Sequence, residues 1–233
     1  MTLSRRTVLL LTVLLLPGAA AQAGEPPYLT AAQLDLTPFL PPPIVAGSTE
    51  DKMELEAVIA AQKSASPERI KLADADAEES VFDMFTRTFG PAFTPGNLPR
   101  ATIFFARIGD SEDETVDPIK KRFGRVRPFL ADPEHIKPLI KSAKSPAYPS
   151  GHTTRVTMIA IILSDMLPEK RDAIWRRAAE YAESRVIGGM HYPQDLDGGR
   201  RAGTAMAATM YTMPAFRADF EVAKAEVRKA LGL

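Results

Sequence analysis

The sequence predicts an all-α fold, a compact multi-helix single domain around an antiparallel helical bundle. Apolar residues recur at the i, i+3, i+4 spacing of a helix face, as at Leu55, Val58 and Ile59. Proline, glycine or a small hydroxyl residue marks the ends of these segments, as is typical of helix boundaries. No segment alternates apolar and polar residues in the manner of a strand, and no internal repeat occurs.

Proline and glycine divide the chain into a series of expected helices. Pro67 suits the first turn of a helix. Gly90 ends one helix, and Pro128 ends another because the residue before a proline avoids the α region. A proline-rich loop is expected over residues 129–148. The expected helices span residues 49–64, 67–89, 98–108, about 112–126, 153–167, 168–186, about 194–211, and a last amphipathic segment that begins at Pro214.

The composition argues against several classes of protein. The 233 residues include 29 basic and 29 acidic side chains, so the formal net charge is zero. The net charge therefore does not indicate a nucleic acid or a membrane surface as a partner. Cysteine is absent, which excludes disulfides, a thiolate nucleophile and cysteine-based metal sites. The histidines are His135, His152 and His191, and a three-histidine zinc site would use all of them. We therefore expect no zinc site of three histidines.

The N-terminal segment, residues 1–23, is typical of a secretory signal peptide. Two arginines precede an apolar run over residues 8–16, and the small-x-small sequence of residues 21–23 suits cleavage. The arginine pair, Arg5-Arg6, also resembles part of a twin-arginine signal. We therefore expect a periplasmic protein exported by the Sec or the twin-arginine route, with a retained membrane anchor as the alternative. No later segment is long and apolar enough to span a membrane.

Residues 24–48 are rich in proline and should form an extended arm that lies on the domain. Phe39, Leu40 and Ile44 are the expected anchors of this arm. The remaining residues, 49–233, are numerous enough to form one domain with a buried core.

Residues 149–152, Pro-Ser-Gly-His, stand before a long apolar run and are typical of a helix start that holds an anion. Ser150 can cap the helix, and Gly151 lets the backbone come close to a ligand. The free N–H groups of the first turn and the helix dipole favour negative charge there. His152, in that first turn, would contact the same anion.

Two further segments carry cations and a second histidine. Lys120 and Arg127 are seven residues apart, so on a helix they would project from one face. Arg185, His191 and Asp195 follow at short spacings. Together with the helix start, these side chains supply the cations, donors and carboxylate that an anion with several oxygens requires.

Other polar residues near these segments are interpreted as structural or solvated. Charged side chains on a helix usually face solvent. We expect Lys121, Arg122 and Arg125 on a solvated helix face, Ser184 in a structural role, and His135 at the surface.

The three segments resemble the tripartite motif of the type 2 phosphatidic acid phosphatase and vanadium haloperoxidase superfamily. The matching blocks are Lys120 with Arg127-Pro128, then Pro149-Ser150-Gly151-His152, then Ser184-Arg185 with His191 and Asp195. Smaller matches extend the resemblance to the bacterial class A nonspecific acid phosphatases over residues 40–200, among them Leu40-Pro41-Pro42-Pro43, Asn97-Leu98-Pro99 and His191-Tyr192-Pro193. Pro146-Ala147-Tyr148 departs from the Gly-Ser-Tyr usual in that class but removes no catalytic group.

The resemblance implies a hydrolase, an acid phosphatase of broad range that acts on phosphomonoesters without a metal or any other cofactor. His191 would attack phosphorus to form a phosphohistidine, with Asp195 holding its other nitrogen. His152 would protonate the leaving alcohol and then deprotonate water. The residues expected to bind the phosphoryl oxygens are Lys120, Arg127, Ser150, Gly151 and Arg185.

Three other functions can use the same residues. A vanadate-dependent haloperoxidase would bind vanadate through His191, a lipid phosphatase would act at a membrane, and a phosphate-binding module would bind without turnover. The class A segments argue against the first, and the lack of a membrane-spanning segment after residue 23 argues against the second. The expected partners are small phosphomonoesters and no nucleic acid. The resemblance also implies a homodimer.

Overall fold

The structure, a computed structural model, describes residues 25–233. This part of the chain is helical and contains no strand, which confirms the predicted all-α class. Short 3₁₀ turns occupy residues Thr37–Phe39 and Pro168–Lys170. The α-helices are α1 (Thr49–Ser64), α2 (Pro67–Ala75), α3 (Val81–Phe89), α4 (Pro99–Phe123), α5 (Pro128–Ala131), α6 (Gly151–Met166), α7 (Arg171–Ile187), α8 (Pro193–Met210) and α9 (Pro214–Ala230).

Serines and prolines set where most of these helices begin. Four helices start at a serine whose hydroxyl accepts the backbone N–H three residues further on. Proline opens α2, α4, α5, α8 and α9, where its missing N–H costs no helical hydrogen bond. The predicted bounds of α1 are confirmed, and α6, α7, α8 and α9 agree with prediction to within a few residues. The capping serines are Ser48, Ser66, Ser80 and Ser150.

The prediction of one helix over residues 67–89 is wrong, because the structure separates α2 from α3. Asp76, the residue after α2, is buried in an ion pair with Arg177 of α7. Ser80 then caps α3. The ion pair and the cap hold residues 76–80 as a loop, the α2–α3 loop, which contacts the site described below.

The two helices predicted over residues 98–108 and about 112–126 are one continuous helix, α4. Gly109 lies buried inside it, where a side chain of α6 covers it. Packing of α4 against α6 and α9 outweighs the helix-weakening effect of that glycine. The helix ends at Phe123, before the predicted end, since Gly124 adopts a left-handed backbone with φ of 60°.

Helix α6 is the centre of the core. Nearly every residue from Gly151 to Met166 is buried, and the helix contacts α3, α4, α7, α8 and α9. A helix that is apolar on all sides is expected inside a domain. The largest group of buried side chains surrounds it and includes Phe104, Met206 and Phe216. The predicted anion-binding helix start therefore belongs to an element held on every side.

Helices α6 and α8 approach closely because glycines of α8 face α6. A Cβ at Gly199 would lie 2.7 Å from the carbonyl oxygen of Ser150. A Cβ at Gly203 would lie 2.5 Å from the carbonyl oxygen of Thr154. The two helix starts are also joined by a hydrogen bond of 2.9 Å from the N–H of Ser150 to the carbonyl of Asp195. Two segments of the predicted site are thus fixed backbone to backbone.

Residues 25–48 cross the helices with one 3₁₀ turn and no α-helix. Of the predicted anchors, Leu40 is buried, Ile44 is partly buried, and Phe39 is 47% exposed. The expectation for Phe39 is wrong, because the 3₁₀ turn places its neighbours Leu36 and Leu40 in the core instead. The buried apolar side chains of this segment are Tyr28, Leu29, Leu36 and Leu40.

The predicted signal peptide, residues 1–23, lies outside the described residues, and the division into an arm and a domain stays a prediction. Within residues 25–233, none of the helices combines the length and the apolar character needed to cross a membrane. Within the same range, no group of three or more histidine, aspartate or glutamate side chains is placed to hold a metal ion.

Candidate active site

A cavity of about 140 Å³ opens where α4, α6 and α7 meet the segments before α5 and α8. Two of the predicted site residues, Ser150 and Asp195, are fully buried behind its wall. The structure brings together the residues of all three sequence segments. The predicted site residues that line the cavity are Lys120, Arg127, Gly151, His152, Arg185 and His191.

His191 lies in the turn between α7 and α8 and is 1% exposed. Its Nδ1 is 3.4 Å from Oδ2 of Asp195, and its Nε2 is 3.1 Å from Nη1 of Arg127. Because a guanidinium only donates, Nε2 accepts this contact and the ring proton lies on Nδ1. Burial, followed by the charges of Arg127 and Lys120, lowers the pKa of His191 well below its usual value. The ring is therefore neutral, with a lone pair on Nε2.

Arg125 forms the shortest ion pair with Asp195, so the interpretation of Arg125 as a solvated residue is wrong. Gly124 ends α4 with a left-handed turn, and Arg125 is buried directly after it. Its Nη1 is 2.7 Å from Oδ1 of Asp195, and its guanidinium lies 3.9 Å from the ring centre of Tyr192. Burial raises the pKa of Asp195, while Arg125 and the N–H of Tyr192 oppose that shift. His191 makes the longest of the contacts to this carboxylate.

Lys120 and Arg127 reach the cavity from different elements, so the expectation of one shared helix face is wrong. Lys120 is in the last turn of α4, whereas Arg127 follows that helix and precedes α5. Arg127 donates to the carbonyls of Ser145 at 2.7 Å and Met190 at 2.9 Å, and Lys120 donates to that of Pro146 at 3.2 Å. Burial lowers the pKa of Lys120 to about 8 and that of Arg127 to about 10. Both therefore stay cationic at acid pH.

Arg185, in the last turn of α7, supplies the third cation and is 1% exposed. Among the described residues, no group forms a hydrogen bond with its Nε or Nη1. Burial lowers the pKa of Arg185, against the attraction of Tyr181 and Glu79. A buried guanidinium with free donors is costly to the fold, and a bound oxyanion would satisfy it.

The start of α6 has the geometry that the sequence predicts. The hydroxyl of Ser150 accepts the N–H of Thr153 at 3.3 Å, which confirms Ser150 as the N-cap. Its own hydrogen is not used in that contact. A Cβ at Gly151 would lie 2.8 Å from Oε1 of Glu112, so a larger residue there would displace this carboxylate.

His152, in the first turn of α6, is held by the α2–α3 loop. Its Nδ1 is 2.7 Å from Oε1 of Glu79, and its Nε2 is 3.1 Å from the carbonyl oxygen of Ala77. The ring stacks on Tyr181, with the ring centroids 6.0 Å apart. Burial and then Arg185 lower the pKa of His152, and the opposing effects of Glu79 and Ala77 leave it below its usual value. No feature of the sequence around Glu79 signals this contact.

Carboxylates form one wall of the cavity beside the cations. Arg155 of α6 binds three of them, Glu79 at 3.3 Å, Glu112 at 2.9 Å and Asp113 at 2.9 Å. Glu112 is 3% exposed, and burial raises its pKa to about 7 although Arg155 opposes the shift. The three sequence segments that predict the site contain neither Glu112 nor Arg155. The carboxylates of this wall are Glu79, Glu112, Asp113 and Asp117.

Two polar residues interpreted as having no part in the site lie outside the cavity. Ser184 is buried in a structural contact, with its hydroxyl 2.6 Å from Oδ2 of Asp76. The side chain of His135 is 59% exposed and pairs with Asp132. Both positions agree with the sequence interpretation.

The site combines two histidines and three cations beside the start of a helix, within an all-α fold. The chain belongs to the PAP2 superfamily, whose family model matches residues 103–219. That match includes every predicted site residue, from Lys120 to Asp195. The family resemblance drawn from the three sequence blocks is thereby confirmed.

Curated relatives align with most of the chain. It is 30% identical to a non-specific acid phosphatase of Providencia stuartii, over 87% of this chain and 85% of the relative. It is 28% identical to a non-specific acid phosphatase of Salmonella typhimurium, over 98% of this chain and 92% of the relative. An acid phosphatase of Zymomonas mobilis is 26% identical, over 91% of this chain and 83% of the relative.

Solved structures share the fold at lower sequence identity. A transmembrane PAP2-type phosphatidylglycerolphosphate phosphatase from Bacillus subtilis superposes with a TM-score of 0.52 and 17% identity, over 72% of this chain and 87% of that protein. A bacterial vanadium-dependent iodoperoxidase superposes with a TM-score of 0.55 and 20% identity, over 76% of this chain and 53% of that protein. These likenesses concern the fold alone.

Proposed function

We propose that this protein is an exported acid phosphatase that hydrolyses a broad range of small phosphomonoesters through a phosphohistidine on His191. The proposal rests on a neutral, buried His191 that lies among three cations. One of these cations, Arg185, has two nitrogens that donate to no other group in the described part of the chain. The relatives named acid phosphatases support the same activity.

The phosphoryl group would be bound by side chains and by the start of α6. Lys120, Arg127 and Arg185 would neutralise its equatorial oxygens. The hydroxyl of Ser150 and the N–H of Gly151 would add hydrogen bonds. In this proposal the three cations supply the positive charge that metal ions supply in many other phosphatases, so the reaction proceeds without a metal.

In the first half of the reaction, the lone pair on Nε2 of His191 attacks phosphorus. The bond from phosphorus to the ester oxygen breaks, and that oxygen keeps the electron pair and takes a proton from His152. His191 now carries positive charge, which the carboxylate of Asp195 stabilises through Nδ1–H.

In the second half, neutral His152 takes a proton from a water molecule. The water oxygen attacks phosphorus, the P–N bond breaks, and its electron pair returns to Nε2 of His191. Inorganic phosphate leaves, and His152 is protonated again. Each residue thus ends in the state in which it began.

The two histidines differ in their protonation at acid pH, as the mechanism requires. The pKa of His191 lies well below its usual value, so the nucleophile stays neutral. The pKa of His152 is lowered less, so the fraction of protonated His152 grows as the pH falls below the ordinary histidine value of about 6.5. Activity that depends on a protonated His152 therefore rises toward acid pH.

His191→Ala tests the proposal, with His135→Ala as a matched control at an exposed histidine. We expect His191→Ala to lower the rate on p-nitrophenyl phosphate by about 10³-fold or more, because the nucleophile is lost. His135→Ala should keep the rate of the original protein. Radiolabelled phosphate should be trapped in an acid-labile form on the original protein and not on His191→Ala. Full activity of His191→Ala would refute the proposed nucleophile.

Two further measurements complete the test. Activity should survive a chelator at pH 5 to 7, and its loss would refute metal independence. Phosphate binding without turnover would indicate a binding module instead of an enzyme. Export rests on the signal-like residues 1–23, and we expect the activity in the periplasmic fraction of the producing cells.

A further inference from the structure

The α2–α3 loop is fixed to α7 at two points. Asp76, at its start, pairs with Arg177 of α7 and accepts the hydroxyl of Ser184 at 2.6 Å. The hydroxyl of Tyr181, also on α7, donates to the carbonyl of Glu78 at 2.8 Å. The carbonyl of Ala77 and the side chain of Glu79 are therefore held in place beside His152.

The side chain of Glu79 and the carbonyl of Ala77 both contact the ring of His152. Oε1 of Glu79 is 2.7 Å from Nδ1 of His152, and the carbonyl oxygen of Ala77 is 3.1 Å from Nε2. A neutral imidazole has one N–H and can donate to only one of them. The doubly protonated ring donates to both, so the loop is built to bind His152 as an imidazolium. Stacking on Tyr181 fixes the plane of that ring.

The surroundings of His152 otherwise oppose a positive charge. Burial and the nearby Arg185 disfavour the imidazolium, and Glu79 is the one carboxylate within residues 25–233 that forms an ion pair with the ring. His152, Arg155 and Arg185 outweigh the effect of burial and lower the pKa of Glu79 to about 2, so it is ionised throughout the acid range. The charged or titratable groups around the ring are Glu79 from the loop, Tyr181 and Arg185 from α7, Arg155 from α6, Lys120 and Glu112 from α4, and His191 before α8.

We propose that Glu79 is the positioning residue of His152: its carboxylate favours the protonated ring and fixes its orientation, so that His152 can deliver a proton to the leaving-group oxygen. This inference rests on the proposed function. As the P–O bond breaks, the ester oxygen keeps the electron pair and takes the proton of Nε2, which gives up its longer contact with the carbonyl of Ala77. Nδ1–H stays bonded to Glu79, and His152 is left neutral. Glu79 remains a carboxylate and acts only through His152. The site then contains two histidine–carboxylate pairs, with Asp195 behind the nucleophile and Glu79 behind the acid.

The kinetic test compares Glu79→Gln with Glu78→Gln, a control at the exposed neighbouring glutamate. Two substrates are used, because p-nitrophenolate leaves with little need of a proton whereas an alkoxide requires one. We expect Glu79→Gln to lower kcat/KM for glycerol 2-phosphate by about 10²-fold, the usual range of general acid catalysis, and for p-nitrophenyl phosphate by less than tenfold. The alkaline limb of the pH profile should move to lower pH. Glu78→Gln should change neither substrate.

Equal losses on both substrates with an unmoved alkaline limb would overturn the proposal, since a merely structural change has no reason to distinguish leaving groups. A rise in kcat/KM on both substrates would also overturn it and would show that the carboxylate obstructs the cavity. If the original protein hydrolyses neither substrate, the proposed function fails, and the role of Glu79 is decided by a measurement that needs no turnover.

That measurement is the ¹⁵N NMR titration of the histidine rings, which are three in number and separable with His135→Ala. The ring of His152 should lose its proton at lower pH in Glu79→Gln than in the original protein, and Glu78→Gln should leave its titration unchanged. An identical titration of His152 in Glu79→Gln would overturn the proposal.

Discussion

Replacing Arg125 by methionine tests the part of the site that the sequence interpretation missed. Arg125 is 8% exposed and balances the charge of Asp195, which is fully buried. Methionine keeps much of the apolar stem of arginine but removes its charge and donors. Lys121→Met is the matched control, because Lys121 is an exposed cation one turn earlier in the chain.

The expected magnitude follows from what Asp195 loses. Removing one partner of a buried ion pair leaves the other charge uncompensated, which costs about 3–5 kcal/mol. Loss of the guanidinium stacked 3.9 Å from the ring centre of Tyr192 adds about 0.5–1 kcal/mol. We therefore expect Arg125→Met to lower the free energy of unfolding at pH 7 by about 3–5 kcal/mol or slightly more. Lys121→Met should change it by less than about 0.5 kcal/mol.

The cost should also depend on pH. Burial already raises the pKa of Asp195, and the loss of Arg125 raises it further. A carboxyl group whose folded pKa is raised is unfavourable when ionised, so stability falls as the pH rises from its unfolded value toward its folded value. The difference between Arg125→Met and the original protein should therefore be larger at pH 7 than at pH 5.

Urea unfolding followed by circular dichroism at the two pH values gives both quantities. Arg125→Met should also lose turnover, because a protonated Asp195 does not stabilise a positive ring on His191. The argument is refuted if Arg125→Met unfolds within about 0.5 kcal/mol of Lys121→Met at pH 7, or if its deficit grows as the pH falls.

Two more substitutions test the site, one by removing a buried charge and the other by changing the contact between two helices. Arg185→Met should raise the free energy of unfolding in phosphate-free buffer by about 1–3 kcal/mol, since it removes a buried charge with unsatisfied donors. Phosphate should raise the Tm of the original protein and of the exposed control Arg200→Met, but not that of Arg185→Met. A lower Tm of Arg185→Met without phosphate would contradict this. Gly199→Ala should cost about 1–3 kcal/mol by overpacking, because its Cβ would lie 2.7 Å from the carbonyl oxygen of Ser150. Gly96→Ala meets nothing within 4 Å and should be near neutral, so equal urea midpoints for the two alanine variants would argue against close packing of α6 on α8.

Much of the site could be predicted from the sequence, because interactions between residues close in the chain determine its geometry. Ser150 caps a helix and Gly151 opens it, and both roles follow from neighbouring residues alone. The spacing from Arg185 to Asp195 places a helix end, a turn and a helix start in succession, so these residues are close in space for local reasons. The roles of the individual residues stay predictions, which the substitutions above test.

The parts that the sequence did not reveal depend on tertiary contacts. Lys121, Arg122 and Arg125 occur in similar local surroundings, and only the left-handed turn at Gly124 makes the last of them a buried partner of Asp195. The contact between Glu79 and His152 requires α2 and α3 to be separate helices. That separation depends on an ion pair with α7, which no local pattern indicates. The continuity of α4 through a glycine likewise depends on packing against other helices.

The joined starts of α6 and α8 have a consequence for engineering. Because the N–H of Ser150 is hydrogen-bonded to the carbonyl of Asp195 and glycines of α8 let the two helices approach closely, the relative position of the two helix starts is set by backbone contacts. The residues beside the acid, in the α2–α3 loop, belong to a separate segment. Substitutions at residues 77–80 would therefore change how the proposed acid His152 is held, while the proposed nucleophile His191 and the cations beside it keep their positions. Changing that loop and redesigning the two helix starts are therefore separable tasks in this molecule.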